Sequence, residues 1–178
     1  MTIDTLRGKI VDLTRSDNSN DQASAYARAA ALGFVGGLRS MMPLALLSQL
    51  RSEGEDASSS NLVGYLKSPA ARIITGLLAA GELVGDKLPA TPSRISPGPL
   101  GGRVVLGALA GWILCQQTRQ SPVLGALLGA IGAASGSAAG YYARSWLVKV
   151  TKWPDPVFAI VEDLTALGLG YLVTRKDD

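Results

Sequence analysis

The chain contains no histidine and a single cysteine, Cys115. Without histidine the commonest general base and metal ligand is missing, which argues against a zinc site or a histidine-based hydrolase. One cysteine excludes a disulfide framework and says nothing about redox compartment. No run of lysine and arginine marks a nucleic-acid partner, and no motif asks for a cofactor. The first twenty residues hold no continuous apolar core, so no cleaved signal peptide is expected. Aromatic residues are sparse at 6%. Charge is sparse where it matters most: residues 120–143 carry none, and residues 29–50 carry only Arg39.

Those charge-poor stretches decide the class. A water-soluble helix needs a polar stripe, and these segments offer only Ser, Thr and Gly. Mean hydropathy of +0.23 hides the pattern, because polar ends and one polar loop dilute an apolar middle. Glycine, 21 of 178 residues, is concentrated inside the apolar segments, where membrane helices tolerate it. The reading is an all-α polytopic transmembrane helix bundle with about five apolar spans, one or two of them broken or re-entrant.

Residues 1–23 form a polar tail or a surface amphipathic helix, with Ile3, Leu6, Ile10 and Leu13 at helical spacing. Residues 24–178 form the transmembrane domain. Span one, about 25–50, carries the close-packing pair Gly33/Gly37, then Arg39, Ser40 and Pro43, where a kink or break is expected. Residues 51–66 are a polar loop. Span two, about 69–88, opens on Ser68-Pro69, a cap followed by proline at the first helical position. Span three, about 100–117, is short and carries Gly107/Gly111. Span four, about 121–143, opens on Ser121-Pro122 and carries Gly125, Gly129, Gly132, Gly136 and Gly140, a stripe for helix packing or self-association. Residues 144–155, with Trp146 and Trp153 beside Lys149 and Lys152, read as interfacial. Span five, about 156–174, contains Glu162 and Asp163.

Five spans put ten lysines and arginines on the side of the N-terminus, the 87–103 loop and the 144–155 loop, against six on the other. The positive-inside rule then places the N-terminus and the proline-rich loop in the cytoplasm. A glycine pair followed by Arg-Ser recurs in spans one and four (Arg39-Ser40 and Arg144-Ser145), and spans two and five both open on proline and carry acids. Two halves related as an inverted repeat are one consequence.

The segments GLRSMMPLA, SPAARIITGLLAAGELVGDKLPATPSR and GPLGGR, with VEDLTALGLG near the end, resemble a bacterial integral-membrane family catalogued as a domain of unknown function. The resemblance covers roughly residues 25–175. It implies a small multi-span protein of the bacterial inner membrane, and brings no activity or site with it.

Ionisable residues inside a membrane are costly and therefore candidates for function. Arg39, Ser40, Glu82, Asp86, Glu162 and Asp163 form the expected substrate or ion site, with Arg39 facing carboxylates from spans two and five. Glu82 and Asp86 lie one helical turn apart, which suits a cation or a proton. The competing reading is that these charges neutralise one another and set helix register. Lys87, Thr91, Ser93, Arg94 and Arg103 form a second candidate, for an anion or a lipid headgroup; an ordinary positive loop stiffened by proline explains them too. The functional expectation is a transporter or channel for a small solute or ion, as a homo-oligomer in the lipid bilayer. A structural, accessory or lipid-binding membrane protein is the alternative. An enzyme is the weakest reading, since no nucleophile elbow appears and Gly101-Gly102-Arg103 is too short for a phosphate loop.

Overall fold

A computed structural model describes residues 3–49, 61–66, 68–85, 96–153 and 155–175. These residues form seven helices and no strand: α1 (Ile3–Leu38), α2 (Met42–Gln49), α3 (Asn61–Leu66), α4 (Pro69–Gly85), α5 (Pro97–Gln117), α6 (Pro122–Thr151) and α7 (Asp155–Thr174). Proline stands at the first position of α4, α5 and α6, where its missing N–H removes nothing. Ser68 Oγ accepts from Ala71 N at 3.1 Å and starts α4. Lys152 ends α6 in the left-handed region, with φ 55°.

Three helices occupy the centre. Gly33 and Gly37 of α1 lie against Gly129 and Ala133 of α6. On the α5 side, Gly107 and Gly111 lie against Gly129 and Gly125. A Cβ added at any of Gly33, Gly37, Gly107, Gly111, Gly125, Gly129, Gly132 or Gly136 would stand under 3.0 Å from backbone atoms of a neighbouring helix or from the Ala133 and Cys115 side chains. These faces are covered within one copy of the chain, where they serve helix packing, one of the two roles expected for them. Large apolar residues point outward instead: Ile73 and Leu77 on α4, Leu127 and Ile131 on α6, Leu164 and Leu172 on α7 are all exposed. Small residues inside and large apolar residues outside suit a lipid surround.

The register of these contacts gives direction. Along α1 and α6, Gly33 meets Gly129 and Gly37 meets Ala133, so the two helices run parallel. An inverted repeat needs spans one and four to be antiparallel, and this excludes it. The first span differs from expectation as well. After Leu38 the chain turns at 39–41 and folds back: Pro43 packs beside Gly36, and Leu46 meets Gly170 of α7 at the level of Val35. The expected kink in one crossing span is thus a hairpin of α1 and α2 whose tip lies inside the bundle. A second ladder runs antiparallel between α2 and α4, from Ser48 Oγ–Thr75 Oγ1 at 3.1 Å to Glu82 at the tip.

Among the described residues, three helices are long and apolar enough to cross a membrane: α5, α6 and residues Val157–Thr174 of α7. The first of the five expected spans folds back on itself, and α4 is 17 residues long. Helix α1 is continuous from Ile3, so the expected tail and the start of span one lie on one helix. Helix α5 begins at Pro97 and α6 extends to Thr151, past the expected limits of 100 and 143.

Candidate functional site

The hairpin tip breaks the backbone ladder in the interior, which leaves carbonyls at the end of α1 and amides at the start of α2 without helical partners. Side chains from other helices meet both sets. Arg103 of α5 donates from Nη1 to Gly37 O at 2.7 Å and to Leu38 O at 3.1 Å. Ser137 of α6 donates to Gly37 O at 3.1 Å. On the other side of the turn, Glu82 of α4 accepts Ser40 N at 2.7 Å on one carboxylate oxygen and Met41 N at 2.9 Å on the other. Each charge has the sign that the adjacent helix end favours, cation at the C-terminus of α1 and anion before the N-terminus of α2.

The same charges meet one another. Arg103 Nη2 lies 3.5 Å from Glu82 Oε1. Arg39, in the turn and 1% exposed, forms an ion pair through Nη2 with Asp163 Oδ1 of α7. Two arginines and two carboxylates from four segments therefore converge on one turn of three residues, and their formal charges cancel. The tip is held from every side.

The expected site divides. Arg39, Ser40, Glu82 and Asp163 come together at the tip, though Arg39 pairs with Asp163 and not with Glu82. Glu162 points away from it, to Arg144 of α6 at 4.0 Å. Arg103, expected in a headgroup loop, is instead buried in α5 and serves the tip. Asp86, Lys87, Thr91, Ser93 and Arg94 lie outside the described residues. Sequence reasoning missed Ser137 and Arg144 as site residues. The Arg-Ser echo at 144–145 was the available signal for the second.

Glu162 and Arg144 stand on the wall of a cavity of about 240 Å³ between α1, α6 and α7, whose lining includes Phe34, Leu38, Gly140, Leu147 and Phe158. At the opposite end of the bundle, Arg28 Nε donates to Val173 O at 2.7 Å and ties α1 to the end of α7. No group of three or more His, Cys, Asp or Glu among the described residues is placed to hold a metal ion.

The model of a family described as a domain of unknown function (DUF4126) matches residues 27–175. No curated protein and no solved structure matches the chain.

Proposed function

The chain belongs to the DUF4126 family, whose description names no activity, and on that premise we propose that it is a small multi-pass carrier or channel for a solute or ion. The α1–α2 hairpin is its closing element. One observation carries the reading: a re-entrant turn inside the bundle, with both of its helix ends capped by charged side chains from α4 and α5. Irregular backbone at membrane depth is tolerated only where protein buries it or a wet cavity adjoins it. Intramembrane charges that converge on broken helix ends are a common arrangement at transport sites. Glu82 and Arg103 already bind the turn, so a passing ion competes for groups that are in place.

The hairpin changes the membrane topology. With α4 as a fourth crossing, ~26 Å long at 1.5 Å per residue, both termini share one side of an even number of spans. That side holds ten lysines and arginines; the other, with the end of α6 and the connections from α4 to α5 and from α6 to α7, holds five. The positive-inside rule then puts both termini in the cytoplasm of a bacterial inner membrane and the proline-rich connection outside. Ser137 stands level with the tip, ~24 Å along α6 from Ser121. The tip is thus nearer the outer face.

Flux in proteoliposomes, screened over cations, anions and protons, tests the proposal. The parent protein is expected to pass at least one of them, and Glu82→Gln to lose most of that flux while retaining its helix content. A folded Glu82→Gln protein with parental flux would remove the tip from the pathway. A second reading has its own support: the four charges at the tip, three of them buried, cancel in pairs, as in a purely structural network. Parent protein silent across the panel, with loss of stability in Glu82→Gln, favours that structural or accessory role.

A further inference from the structure

We propose that the cavity between α1, α6 and α7 is a binding site for one acyl chain of an anionic phospholipid, with Arg144 as the phosphate-side anchor. The inference concerns a different place from the hairpin tip and does not rest on transport. The cavity is about 240 Å³ and its walls are apolar apart from Arg144, Glu162 and Thr165. It lies beside residues that face outward, since Ala139, Ala143 and Val161 are exposed. In a bilayer such a groove is filled by whatever apolar matter surrounds it, and that matter is lipid tail.

Charge selects the headgroup. Arg144 stands where the uncharged stretch of α6 ends, followed by exposed Trp146, Lys149, Lys152 and Trp153. Aromatic and basic residues in that order mark the boundary between tail and headgroup layers. Glu162 lies 4.0 Å from Arg144, and its side chain is 11% exposed against 21% for the arginine. The carboxylate is therefore the deeper partner, and the guanidinium is the one nearer an arriving phosphate. Leu147 and Phe158 line the groove on the side nearest the α6 C-terminus, beyond which Lys152 and Trp153 are exposed. The surplus of Lys149 and Lys152 over the neutral Arg144–Glu162 pair favours an anionic headgroup over a zwitterionic one.

Native mass spectrometry tests this on the full chain, purified in mild detergent and reconstituted in discs of mixed phosphatidylglycerol and phosphatidylcholine. The parent protein is expected to retain one phosphatidylglycerol through delipidation. Arg144→Gln should lower that retention about tenfold, the loss of one charge-assisted contact. Ala143→Trp, which fills the groove from its exposed wall and keeps both Arg144 and Glu162, should abolish it with helix content unchanged. Lys149→Gln, which removes part of the basic surplus and leaves the Arg144 anchor in place, should lower it less than Arg144→Gln does. Equal retention of both lipids, or retention indifferent to Ala143→Trp, overturns the proposal. So does a dimer in the parent that Ala143→Trp dissolves, because the groove would then seat a second copy.

Discussion

The bundle is held in two different ways at its two levels. Where Gly33 and Gly37 of α1, Gly107 and Gly111 of α5 and Gly125 to Gly136 of α6 meet, glycines let backbones approach directly. At the hairpin tip, long charged side chains link the turn to α4, α5 and α7. Where helices stay regular, every peptide group is satisfied internally and the neighbour needs only room. Where the helix is interrupted, orphan amides and carbonyls need partners that only another element can supply. Packing by absence of side chains and packing by reach of side chains thus serve the same fold, and each fails differently.

The largest effect is expected from the glycine level. Gly129→Leu places a side chain into Gly107 O and Gly111 Cα, backbone atoms that cannot yield. The protein should fail to accumulate as a monodisperse species in detergent. Gly76→Ala on α4, with nothing within 4 Å, is the matched control and should match the parent or slightly exceed it in thermal stability. If both behave alike, the two-level picture is broken.

Next comes the buried pair at the tip. Arg39→Ala leaves Asp163 without its cation and should destabilise the fold by about 3–5 kcal/mol in denaturant unfolding. Replacing both, as Arg39→Leu with Asp163→Leu, should recover most of the loss, since the penalty lies in the orphaned charge. A double variant as unstable as the single one would mean that Arg39 acts through the shape of the turn. The smallest effect sharpens the comparison below the tip. Ser48→Ala removes the single hydroxyl link to Thr75 and should cost about 0.6 kcal/mol, the usual size of a hydrogen bond between membrane helices.

Much of the scaffold was legible in the residues. Ser68-Pro69 and Ser121-Pro122 mark helix starts by a local rule, and α4 and α6 begin there. Arg39-Ser40 with Pro43 signalled an interruption, and one occurs. The direction taken after it was not legible. Whether a chain kinks or reverses at a three-residue turn depends on what receives it, here Gly36 beside Pro43 and Gly170 beside Leu46. Pairing was hidden for the same reason. Glu82 sits on backbone amides, and Arg39 takes the carboxylate one residue after Glu162, because adjacent positions on α7 face about 100° apart. Only the placement of α7 against α1 selects between them.

Local chemistry, then, settled what needs no partner to be true. Charge-free stretches, proline caps and the glycine spacing made this an all-helical membrane protein, because helix formation and apolar burial follow from short-range sequence. The reversal at residues 39–41, the parallel run of α1 with α6 and the convergence of Arg39, Glu82, Arg103 and Asp163 came from tertiary structure alone. Those residues lie far apart in the chain, and long-range contacts depend on how whole faces fit, which no window of neighbouring residues contains.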